Sequence, residues 1–127
     1  MEITQERERY VWRLLYFGFI ALPVLAGLDK FFHILTEWSV YLSPKLIDIL
    51  PFGADSAMRL VGIIEIAAGI IVAIKPRIGG FIVSFWLLAI ILNLLSFPGY
   101  YDIALRDFGL SLSAASLALL SRKEDKP

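Results

Sequence analysis

Four apolar stretches dominate the chain, each close to the roughly 20 residues that a helix needs to cross a bilayer. The first runs from about Tyr10 to Ile34, with an uncharged core from Leu14 to Leu28. The second, about Ala57 to Ile74, is interrupted by Glu65. The third, Ile78 to about Phe97, carries no charge, and the fourth runs from about Ile103 to Leu120 with Arg106 and Asp107 near its start. The breaks between them agree with this division. Lys75-Pro76-Arg77 reads as a tight polar turn. Phe97-Pro98-Gly99-Tyr100-Tyr101 reads as a turn with interface aromatics. The longest connection, Thr36 to Asp55, contains Leu46-Ile47-Asp48-Ile49-Leu50, which predicts a short amphipathic helix lying on the membrane surface. The expected fold is all-α: one integral membrane domain over residues 1–127, a four-transmembrane-helix bundle with that short segment in its first outer connection.

Composition supports a membrane setting. Of 127 residues, 58% are hydrophobic and 19% charged, against about 25% charged in an ordinary soluble domain. Lys+Arg 12 balances Asp+Glu 12, so no net field recruits nucleic acid. The absence of Cys removes disulfides, thiolate metal sites and thiol redox chemistry, and a single His leaves no histidine cluster for a metal. The first span follows a charged start, and Leu25-Ala26-Gly27 looks like a lipobox; Leu28, however, stands where such a box needs Cys, and the span is expected to be retained.

Orientation follows from Lys and Arg. With four spans, Arg7, Arg9, Arg13, Lys75, Arg77, Arg122, Lys123 and Lys126 share one side, and Lys30, Lys45, Arg59 and Arg106 the other. Both termini are therefore expected in the cytoplasm, and the long connection outside. The end run Arg122-Lys123-Glu124-Asp125-Lys126 reads as a solvated tail.

Ionisable residues inside spans are costly, usually face the bundle interior and often carry function. Each span has one small or polar stripe: Pro23, Gly27 and Lys30 in the first; Arg59, Gly62, Glu65 and Gly69 in the second; Trp86, Ala89, Asn93 and Ser96 in the third; Asp102, Arg106, Gly109, Ser113 and Ser116 in the fourth. Small residues permit close helix approach, so the stripes are expected to converge. The result would be a polar pocket opening outward, with Glu65 near its floor. Lys30, Arg59, Glu65, Asn93, Asp102 and Arg106 are the candidate ligand-binding residues. A structural network stays open beside the pocket. Asp102 and Arg106, four apart on a helix, would form an ion pair, and Glu65 would pair with Arg106, Arg59 or Lys30. Tyr10, Trp12, Tyr16, Trp38, Tyr41, Tyr100 and Tyr101 read as interface belts, and Trp86 as packing or a stacking platform. No catalytic constellation stands out, since His33 is the one possible base for any Ser and no acid pair has hydrolase spacing.

The segments Ala26-Gly27-Leu28-Asp29-Lys30, Gly62-Ile63-Ile64-Glu65-Ile66-Ala67-Ala68-Gly69 and Asp102-Ile103-Ala104-Leu105-Arg106-Asp107-Phe108-Gly109 together resemble the DoxX-like family of small four-helix membrane proteins. The resemblance implies a prokaryotic cytoplasmic membrane and marks Gly27, Lys30, Glu65 and Gly69 as motif positions. Some relatives are linked to redox work, one of them a subunit of a thiosulfate:quinone oxidoreductase. The expected role is then an accessory or structural subunit of a membrane redox complex, partnered by lipid, by other subunits or by copies of itself. A bound quinone or lipid is the compatible cofactor. The lack of Cys argues against sulfur catalysis by this chain. The alternative is a stand-alone protein that binds or transports a small lipophilic or anionic molecule between its helices.

Overall fold

A computed structural model describes residues 2–121; the predicted solvated tail at 122–127 lies outside the described residues. The elements are α1 (Glu2–Phe32), a 3-10 turn (Trp38–Tyr41), α2 (Pro44–Ile49), α3 (Ala54–Ile74), α4 (Pro76–Leu95) and α5 (Tyr101–Leu120). Four of these, α1 and α3 to α5, are long and apolar enough to cross a membrane, so the chain is an all-helical multi-pass bundle. Large apolar side chains such as Leu14, Phe17, Leu25, Ile63, Phe85, Leu92, Leu105 and Leu119 remain exposed, as lipid-facing positions must be.

The helix boundaries have local causes. α1 stops at Phe32 because His33 adopts a left-handed φ of 55°, a conformation disfavoured for a side chain with a Cβ. The Asp29 carboxylate compensates by accepting hydrogen bonds from the backbone N–H groups of Ile34 (2.9 Å) and Leu35 (3.0 Å). Pro76 opens α4 at a position where its missing N–H costs nothing, so Lys75 alone separates α3 from α4. The short helix predicted over Leu46–Leu50 forms as α2, started by Pro44.

Within the bundle, α1 packs along α3 and α4 along α5, and contact between these two pairs is sparser. The first seam is built on glycines. A Cβ on Gly27 would lie 2.5 Å from the Gly62 carbonyl oxygen, and one on Gly62 would lie 2.7 Å from that of Gly27. Gly69 meets Ile20 and Val24 in the same way. The second seam uses Gly80 against the backbone of Ala114 and Ala118. It also holds a reciprocal Ser84–Ser111 pair, in which each hydroxyl bonds the other residue's carbonyl at 3.0–3.1 Å.

The two pairs close on each other at the end that carries the chain termini. Trp12, Tyr16, Phe19, Ala68, Val72, Val83, Ala114 and Leu117 form one buried cluster there. Trp12 and Tyr16 stack at 4.6 Å. The Trp12 indole N–H donates to Ser121 Oγ (2.8 Å), and the Tyr16 hydroxyl donates to the Ala73 carbonyl (2.7 Å). These two rings were expected in an interface belt. Buried hydrogen-bond partners on α3 and beyond α5 draw them into the core instead.

Candidate functional site

At the opposite end the helix pairs part around a cavity of about 710 Å³. Phe19, Ala68 and Val83 of the buried cluster form its floor, and Leu35, Trp38, Tyr41, Leu42 and Leu46 of the 33–53 connection form its roof. Its walls are mostly apolar, from Leu22, Met58, Val61, Trp86, Leu87, Ile90, Ile103 and Leu110, with a few charged groups set among them. The lining is thus less polar than the four stripes imply.

Lys30 and Glu65 sit beside each other in the wall formed by the α1–α3 seam. Both are more than nine-tenths buried, and their ammonium and carboxylate meet at 2.5 Å. The meeting is a close charge contact rather than an aligned hydrogen bond. Glycine packing makes it possible: Gly62 lies against the Cβ of Lys30, so the helices are close enough for two side chains one turn apart in depth to touch. The ammonium also lies 3.8 Å from the Trp38 ring centroid, a cation–π contact in a water-poor setting. Glu65 stands eleven residues into α3, about 16 Å along a helix that rises 1.5 Å per residue. A carboxylate at that depth requires a partner, and Lys30 is the partner found.

The roof is fastened from two sides. Asp29 accepts the Trp38 indole N–H at 2.8 Å. Asn93 on α4 accepts the Ser43 N–H at 2.9 Å and donates to the Tyr41 carbonyl at 2.7 Å. Asn93 therefore lines the cavity and ties the connection down over it. Tyr41 packs edge-on against Tyr100. Trp38 and Tyr41 are thus roof residues of the cavity.

Apart from Arg106, the fourth stripe is turned away from the site. Asp102, Gly109 and Ser116 are exposed, and no neighbour lies near the Cβ position of Gly109. Ser113 and Ser116 bond carbonyls of their own helix, at Gly109 and Leu112. The buried face of α5 is Ala104, Asp107, Ser111, Ala114 and Ala118. The predicted Asp102–Arg106 pair is not formed. Arg106 bends instead to its chain neighbour Asp107, with Nη2 at 3.2 Å and Nε at 3.3 Å from Oδ1. Arg106 and Asp107 both line the cavity. Arg59 and Asp102 do not, and among the described residues no ion pair reaches either.

Two acidic residues left out of the candidate ligand-binding set take part here. Asp107 is buried and faces the cavity; its signal was the spacing Ala104–Asp107–Ser111–Ala114, a small-residue face as regular as the one preferred. Asp29 shapes the exit of α1, and a carboxylate in the last turn of a helix is the feature that could have marked it. Among the described residues no group of acidic, His or Cys side chains is arranged to hold a metal. Comparison with protein-family models, curated proteins and solved structures finds no match.

Proposed function

We propose that the protein binds a small lipophilic molecule with a polar head, held between the two helix pairs. The observation that carries this reading is the cavity itself: about 710 Å³, apolar on most of its surface, with Lys30, Glu65, Arg106 and Asp107 placed in its walls. Ligand sites typically occupy about 300–1,000 Å³ and combine apolar lining with a few polar groups that set orientation. Trp86 adds an indole N–H that is buried and has no hydrogen-bond partner among the described residues. The roof fastened by Asp29 and Asn93 would retain the bound molecule, and release would require those bonds to open.

The test is extraction of the full-length protein from native membranes into lipid discs, followed by mass spectrometry of the small molecules it carries. Wild type should carry one lipophilic molecule near stoichiometry. Val61→Phe, which fills the cavity from the α3 wall, should lose it while the protein stays monodisperse with an unchanged melting temperature. Equal content in both proteins, or none in either, would overturn the reading.

A second reading is supported by the α1–α3 seam. The positions that resemble DoxX-like proteins, Gly27, Lys30, Glu65 and Gly69, all lie along it, as glycine contacts and an ion pair. On this reading the chain is an accessory subunit of a redox complex in a prokaryotic cytoplasmic membrane, with quinone or lipid as its cavity ligand. Stoichiometric recovery of larger redox subunits in the same native extract would support it, and recovery of the small protein alone would count against it. The Lys and Arg distribution, eight against four as summed from the residues named above, supports cytoplasmic termini. Reporter fusions at the C-terminus test that orientation.

A further inference from the structure

The cavity wall holds two cations and two acids, Lys30, Arg106, Glu65 and Asp107, but they are unevenly buried. Three ionisable residues lining it are more than nine-tenths buried: Lys30, Glu65 and Asp107. One is a cation and two are acids. Lys30 is fully engaged, with Glu65 at 2.5 Å, the Trp38 ring at 3.8 Å and the Ala26 carbonyl at 3.5 Å. That leaves Asp107, whose partner is of a different kind. The Arg106 side chain is 66% exposed, and it reaches a neighbour that points to another face of the same helix. Both of its hydrogen bonds end on Oδ1. Among the described residues no hydrogen bond reaches Asp107 Oδ2. An arginine that matched this carboxylate would grip both oxygens at once. Arg106 does not, and its long side chain can leave for the membrane surface. Asp107 is therefore a buried carboxylate with half its acceptor capacity unused and a displaceable counter-ion.

Building on the cavity reading, we infer that the bound molecule is an organic cation, an ammonium or similar charge on an apolar body, with its head at Asp107. Such a charge would take the place beside Asp107 that the exposed Arg106 fills through one oxygen only. A buried carboxylate in an apolar setting is costly until a cation meets it. The aromatic rings of Trp38, Tyr41 and Trp86 line the same space, and Lys30 over Trp38 shows one of those faces already holding an ammonium. An anion would find the buried cation taken by Glu65, two buried carboxylates facing it, and Arg106 already on Asp107.

The experiment uses full-length protein in phosphatidylcholine discs, with protein-free discs subtracted. The probes are tetraphenylphosphonium and tetraphenylborate, which share four phenyl groups and differ in sign. Saturable phosphonium binding is expected. Asp107→Asn should weaken it by about tenfold or more, Asp107→Glu should keep most of it, and Arg106→Gln should tighten it a few-fold by removing the competing guanidinium. Binding of the borate in preference to the phosphonium, lost in Arg106→Gln, would overturn the cation while leaving the cavity reading intact. Saturable binding of neither ion would also overturn the inference, and the Val61→Phe extraction would then judge the cavity reading by itself. Melting temperatures of all variants distinguish loss of the site from loss of the fold.

Discussion

The two ends of the bundle are built from the same four helices and are packed in different ways. At the terminal end, Trp12, Tyr16, Val72, Val83, Ala114 and Leu117 close into a buried core whose indole N–H and phenol O–H donate to Ser121 and the Ala73 carbonyl. At the loop end the helix pairs separate, ionisable groups enter the wall, and the roof is a connection pinned by side chains rather than a packed helix. Lipid tails are as apolar as the helices, so burial of Leu or Ile gives no net drive for helix association; close packing and hydrogen bonds supply it. The closed end has both. The open end gives up packing for space and relies on the Lys30–Glu65 pair and the α1–α3 glycines to keep its wall together. The site therefore lies where the helix pairs pack least continuously, and its wall depends on a few specific contacts.

The sharpest test of that dependence is Lys30→Met. It strands Glu65 in the wall and is expected to cost about 3–5 kcal/mol, with Lys30→Met/Glu65→Leu recovering most of the loss. Reversible unfolding in mixed micelles measures both, and a loss below about 1 kcal/mol would mean the open end does not depend on the pair. Next comes Gly27→Val, which drives side-chain atoms into the Gly62 backbone; overpacking of this kind costs about 1–3 kcal/mol and should loosen the loop end before the terminal end, read by site-resolved hydrogen exchange. At the closed end, Trp12→Phe removes one buried hydrogen bond to Ser121 and should cost about 1 kcal/mol without altering ligand content. The smallest effects belong to Arg59→Gln and Asp102→Asn. Both side chains are exposed and unpaired among the described residues, so each should stay within about 0.5 kcal/mol of wild type and leave ligand content unchanged. A large effect at either position would return it to the site from which the geometry removes it.

The stripes on α1 and α3 were legible because their glycines had one face to occupy, and Gly27, Gly62 and Gly69 all lie in the seam. On α5 two faces competed. Asp102, Arg106, Gly109, Ser113 and Ser116 make the more polar stripe, but a serine in a helix can satisfy its hydroxyl on its own backbone, as Ser113 and Ser116 do. That face therefore needed no partner. The competing face carries Asp107 and Ser111, and Ser111 has its partner in Ser84 across the helix interface. Their place near the start of a span marks Trp12 and Tyr16 as belt residues, but the atoms that draw them inward, Ser121 and the Ala73 carbonyl, are 109 and 57 residues away.

The sequence by itself determined the number of long apolar helices, the turns between them, the short helix in the first connection and the absence of thiol chemistry. Each follows from local hydrophobic length, from Pro and Gly, or from composition. The tertiary structure alone decided how each helix is rotated about its axis, and with it that Lys30 takes Glu65, that Asp107 rather than Asp102 enters the cavity, and that the 33–53 connection roofs it. An apolar helix in lipid shows no preferred face to a solvent as apolar as itself; its rotation is set by which neighbour offers a close-packed surface or a hydrogen-bond partner.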